Sequence, residues 1–175
     1  YRDNRLNLIH EGTNGIQSLD LLGRKVLGDG GKTMQVLFAR MRKTADAAPA
    51  TLTAHAQDLR EALTRIESVT MKLGAAAGKG QLELAMANSM AYLEMFGHTV
   101  IAWLWLEQAQ VATAALVNAQ GEDRDFYEGK LAACRYFFIH ELPKSKPWPE
   151  LPNRLADTIL MTAVRTFSAV LDRTR

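Results

Sequence analysis

The chain has 175 residues, 47% of them hydrophobic and 23% charged, which is long enough to bury a core and far from the polar, charge-rich composition of disordered chains. Its 21 basic and 19 acidic side chains leave a formal charge of +2, and they are interspersed rather than gathered, which argues against a nucleic-acid partner. The single cysteine, Cys134, excludes an intramolecular disulfide and reads as a small buried apolar group suited to a reducing cytoplasm.

The chain opens on Tyr1, and residues 1–5 have neither the apolar core nor the cleavage motif of a signal peptide, so it is expected to begin inside a longer protein. Alternating β-branched runs are almost absent while Leu, Ala, Met, Gln, Glu, Lys and Arg dominate, which predicts an all-α bundle of about six helices. The first is expected to start near Thr13 or Asn14, to carry Ile16, Leu19, Leu22 and Val26 as its apolar stripe, and to end at the glycines of residues 28–31. A second, over about 32–47, has Val36, Leu37, Arg40, Met41 and Thr44 at helical spacing and stops before Pro49.

The third has the cleanest pattern. Leu52, Leu59, Ile66 and Leu73 recur every seven residues, with Ala62 and Val69 between them and charges on the other faces, the mark of a helix packed along a neighbour. After the small residues of 74–80, a long central helix is expected over about 81–120 and carries Leu82, Met86, Met90, Leu93, Phe96, Val100, Trp103 and Leu104. Its most apolar stretch, residues 95–106, is too short for a membrane span of roughly 20 residues and reads as a buried core helix. A fifth helix starts among Glu122, Asp123 and Asp125 and ends before Pro143. A proline-rich linker (Pro143, Pro147, Pro149, Pro152) precedes a last helix over about 154–173, with Leu155, Ile159, Leu160, Ala163, Phe167, Val170 and Leu171 on one side.

Several candidate motifs carry no chemistry. The histidines at 10, 55, 98 and 140 form no close pair, so a metal site is not expected. Gly28-Asp29-Gly30-Gly31 follows a helix rather than a strand, which makes it a helix terminator and not a phosphate loop. Tyr127-Glu128-Gly129 is followed by Lys130 inside a helical pattern, so Glu128 reads as a solvated helix acid.

The informative segment is Ile9-His10-Glu11-Gly12-Thr13-Asn14-Gly15-Ile16-Gln17, followed by Leu21-Leu22-Gly23-Arg24-Lys25 and preceded by Tyr1-Arg2-Asp3-Asn4-Arg5. It resembles the acyl-CoA dehydrogenase motif, in which Glu-Gly-Thr, two variable residues and Ile-Gln follow an Arg-Asp-rich approach. The resemblance implies that Glu11 is the base that removes the α-proton of an acyl-CoA thioester while the β-hydrogen leaves as hydride to N5 of FAD. A carboxylate of ordinary pKa, near 4.3, is too weak for that step unless burial raises it and donors stabilise the enolate oxygen. In the family one such donor is the backbone N–H of the glutamate itself. Gly12 then lets substrate approach the backbone, and Thr13 is a flavin contact at a helix start. His10 stands where many relatives have tyrosine and takes no catalytic role. Gly15 stands where others have glutamine, so no side-chain contact to FAD carries over there.

The number of residues after Glu11 resembles the larger bacterial type with an extra C-terminal helical domain. Residues 1–47 are then the end of the dehydrogenase C-terminal helical domain, and 48–175 an additional helical bundle. The parent would be a cytoplasmic homo-oligomer that passes electrons to an electron-transferring flavoprotein, and this fragment alone would be inactive. The alternative is a non-catalytic helical interaction or oligomerisation module, to which the heptads of residues 52–73 point equally well.

Overall fold

The computed structural model of the chain describes residues 13–146. Helix α1, Thr13–Leu19, continues without a break into a π-helical stretch, Asp20–Leu27. It ends where the sequence predicts: Gly30 and Gly31 have φ of 67° and 80°, left-handed values that glycine adopts without a Cβ clash. The Gly31 N–H donates to the Val26 carbonyl at 2.8 Å. Both carboxylate oxygens of Asp29 then accept backbone N–H groups, of Gly31 and Thr33, at 2.9 Å, which starts α2, Lys32–Asp46. Donors from Thr33, side chain first, hold the Asp29 carboxyl below its ordinary pKa.

Pro49 opens a 3-10 turn, Ala50–Leu52, that leads into α3, Thr53–Gly78. The heptad reading holds: Leu52, Leu59, Ala62, Ile66, Val69 and Leu73 are all buried. A turn at Gly80, φ 81°, precedes the short α4, Leu82–Met86, the central α5, Ser89–Ala115, and α6, Gly121–Tyr136, which runs on through a π turn, Phe137–Glu141, and a 3-10 turn, Leu142–Ser145. Helix α5 packs against α1, α2, α3 and α6, and one continuous core runs from Leu22 to Leu142. Among the described residues there are six α-helices and no strand.

Three expectations need correction. The single helix over 81–120 is two, because Asn88 turns its side chain back and donates to the Leu84 carbonyl at 3.0 Å, as Asn does at helix ends. In α1, Leu22 and Val26 are buried but Ile16 and Leu19 are exposed, and the inward line is Ser18, Leu22, Val26. Steps of four residues drift by roughly 40° each in a 3.6-residue turn, and the wider π turns keep them in line. In α2 the inward face is Met34, Phe38, Met41, Thr44 and Ala45, so Met41 and Thr44 face inward as expected but Val36 is 74% exposed. The expected helix over about 154–173 lies outside the described residues.

Polar side chains along one face of α5 tie it to its neighbours. Tyr92 Oη is 2.8 Å from Thr70 Oγ1 on α3. Trp103 Nε1 donates to Thr44 Oγ1 on α2 at 2.8 Å, and Gln110 Nε2 to the Thr44 carbonyl at 2.7 Å. The Thr44 hydroxyl reaches Glu107 Oε1 at 3.1 Å. No buried side-chain N or O among the described residues lacks a partner.

Candidate functional site

Of the three residues the sequence assigns to chemistry, Glu11 and Gly12 lie outside the described residues, as does His10, and Thr13 is the first residue of α1. Thr13, Asn14 and Gly15 are all exposed, and a Cβ placed on Gly15 would meet nothing within 4 Å. Among the described residues, nothing crowds the helix start on the side where the glycine stands.

What fixes that helix start is a pair of hydroxyls the sequence does not advertise. Ser18 is fully buried and donates to the Gly15 carbonyl at 2.7 Å. Its Oγ also lies 3.0 Å from Ser89 Oγ, at the first residue of α5. Since the one Ser18 proton is engaged by Gly15, Ser89 is the donor in the second bond. One turn further on, the Met86 side chain of α4 packs over Gly23, its Sδ 3.5 Å from where a Cβ would be, an ordinary contact distance. Outside, Asp20 accepts from Arg24 Nη2 at 3.1 Å, and the Arg24 guanidinium, with Lys25, holds the Asp20 carboxyl below its ordinary range.

Behind α1 lies a groove of about 600 Å³ between the 26–35 segment and the second half of α3, with Met34, Thr70, Met71 and Gly74 in its walls. Its one acid, Glu67, is taken by Arg42 at 2.7 Å. At its floor the Thr70 hydroxyl donates to the Ile66 carbonyl at 2.8 Å and so accepts from Tyr92, whose phenol burial pushes up to about 12. The groove has an apolar, protonated lining with no free base, which suits packing rather than proton transfer.

Cys134 is buried and its thiol is pushed up to about 11 by burial. Half-buried His55 rests its ring 4.7 Å from Phe138, and desolvation lowers its pKa. Glu128 stands on the solvent side of α6, 2.9 Å from Arg124. Among the described residues no three His, Cys, Asp or Glu side chains gather to hold a metal ion, and no helix is long and apolar enough to cross a membrane.

Comparison with known proteins supplies the wider frame. Residues 37–162 match the family described as acetyl-CoA dehydrogenase C-terminal like. A broad-specificity linear acyl-CoA dehydrogenase of Mycobacterium tuberculosis is 31% identical over 167 residues, covering 91% of this chain and 27% of the relative. A 3-methylmercaptopropionyl-CoA dehydrogenase of Ruegeria pomeroyi is 37% identical over 141 residues, covering 78% of this chain and 23% of the relative. The chain thus spans about a quarter of the length of the curated relatives it matches.

Proposed function

Because the chain belongs to the acyl-CoA dehydrogenase C-terminal family, we propose that it serves an FAD-dependent dehydrogenase that converts acyl-CoA to trans-2-enoyl-CoA, with Glu11 as the base. The observation that carries this reading is the Glu11-Gly12-Thr13 motif, which precedes the family match over residues 37–162 in a chain similar to an acyl-CoA dehydrogenase and to a 3-methylmercaptopropionyl-CoA dehydrogenase. FAD, when bound, supplies the acceptor for the β-hydride. The chain's own part is the α-proton: the Glu11 carboxylate takes it, and the Glu11 backbone N–H steadies the oxygen of the thioester as negative charge develops there. Gly12 allows close approach of substrate to the backbone. The exposed start of α1 fits a flavin: Thr13 contacts it, and the open side of Gly15 leaves room for it. The Ser18–Ser89 pair and buried Leu22 and Val26 hold that helix to α5, which gives the base a rigid support.

The proposed division between residues 1–47 and 48–175 is not one of packing, since Met34, Phe38 and Met41 share a core with α3 and α5. Electrons go on to an electron-transferring flavoprotein, the parent is a homo-oligomer, and the 175-residue piece alone is inactive. The test is Glu11→Gln in the full-length parent. Bound yellow flavin should persist while dehydrogenation is lost; undiminished turnover would reject the assignment. The alternative, a non-catalytic assembly module, draws on the exposed Ile101, Leu104 and Val111 of α5; it does not require a flavin-binding β-domain in the sequence ahead of Tyr1, whereas the dehydrogenase reading does.

A further inference from the structure

Three of the chain's four histidines meet at the π turn Phe137–Glu141, where α6 ends. His55, in the first turn of α3, lies 4.7 Å ring to ring from Phe138, which is buried. His98 of α5 lies 6.3 Å from Phe137, and His140, within the turn, lies 4.8 Å from Tyr136. The turn is thus clasped between histidine rings on two different helices, each set against a phenylalanine. Cys134 stands one helical turn before Phe138 and is buried on the same side of α6.

The two sides of this clasp answer a proton differently. Around His55 positive charge is disfavoured. The first turn of α3 carries no acidic residue to offset the positive end of its helix dipole. Loss of water on burial comes first, Asp58 of α3 opposes it, Arg135 of α6 adds to it, and the balance holds the imidazole below its ordinary value of 6.5. On the α5 side the charges attract. Lys144 first, then His98 and His140, hold the Glu141 carboxyl below its usual range, so charge on those two rings favours the turn where it lies.

We infer that the His55–Phe138 contact is a proton-operated latch: the neutral ring holds the end of α6 on α3, and its protonation frees that end and uncovers Cys134. Since the fold favours the neutral ring, the latch is closed above the ordinary imidazole value of 6.5 and lets go as pH falls through the lowered one. The opening is local, because the Glu141 side keeps its attraction and short segments at helix ends open at far less cost than the whole fold.

Cys134 reports on the latch without an added label, being the only cysteine in the 175-residue chain. Its rate of reaction with dithiodipyridine is compared between the wild type and His55→Phe, which keeps a ring but takes no proton, at about pH 5 and about pH 8. The ratio of the two rates at one pH cancels the reactivity of the thiol itself. That ratio should rise several-fold from pH 8 to pH 5, and His98→Phe should follow the wild type. A ratio that does not change with pH overturns the inference, as does an equal rise against His98→Phe. Should circular dichroism show His55→Phe misfolded, His55→Gln supplies the same ratio. Labelling of the wild type at pH 5 should also depend only weakly on urea, because a local opening exposes little surface. A dependence as steep as that of global unfolding overturns the latch as well.

Discussion

Replacing Ser18 by alanine tests whether the hydroxyl pair anchors α1. In that variant Ser89, 5% exposed, keeps a hydroxyl proton with no acceptor, while the Gly15 carbonyl, on an exposed residue, exchanges its donor for water. A buried donor left unpaired costs about 1–3 kcal/mol. Alanine's better helix propensity offsets up to about 0.5 kcal/mol of this, for a net loss of roughly 0.5–2.5 kcal/mol. At about 2–4 °C per kcal/mol for a chain of this size, Tm should fall by roughly 1–10 °C. Ser89→Ala should cost less, because Ser18 keeps its bond to Gly15 at 2.7 Å and loses only a donor to its lone pair. The double variant should be no less stable than Ser18→Ala alone, since two apolar groups of similar size leave nothing unpaired. Urea unfolding of the four proteins, followed by circular dichroism, gives the cycle. Effects additive within about 0.3 kcal/mol, or Ser89→Ala costing more than Ser18→Ala, would refute the donor assignment.

Two further outcomes follow from the core and the turns. Burial raises the Tyr92 phenol from 10.0 to about 12 and the Cys134 thiol from 9.0 to about 11. The neutral forms are favoured in the fold, so the corresponding stability is present below the unfolded values and is lost as pH rises through the raised ones. Tyr92→Phe should therefore lie below the wild type at pH 8, by the roughly 1 kcal/mol of one hydrogen bond, and close on it or overtake it between pH 10 and 12 in parallel urea titrations; a constant gap would contradict the burial argument. Glycine replacements should show opposite signs. Gly31→Ala puts a Cβ at φ 80° and should destabilise by roughly 1–2 kcal/mol, whereas Gly129→Ala, mid-helix with nothing within 4 Å, should stabilise by roughly 0.5–1 kcal/mol, both read as Tm shifts.

The parts of the fold legible in the sequence are those where one local rule acts alone. Helix α3 shows its inward face because its apolar residues keep a strict repeat and its charges keep off it. The glycines of 28–31 mark a stop because a left-handed turn admits few other residues. Helix α2 was misread by a rotation: Val36 and Leu37 compete with Met34 and Phe38, and apolar residues on several faces leave the choice to packing. The break at residue 88 had a signal, an Asn-Ser pair suited to a helix boundary, outweighed by the strong helix formers on both sides. Ser18 and Ser89 had none, since a serine gives no hint of a partner 71 residues away. The Glu-Gly-Thr motif stood out only through its family likeness; taken singly, its residues would suit any helix start.

The polar contacts of α5 bear on how a helix with so little amphipathic contrast finds a unique seating. Turning it by one residue, about 100°, would exchange one greasy surface for another at modest hydrophobic loss. It would also orphan the Trp103 indole, the Tyr92 phenol and the Gln110 amide together, at about 1–3 kcal/mol each. Orientation is thus enforced by three donors in the manner of wards in a lock.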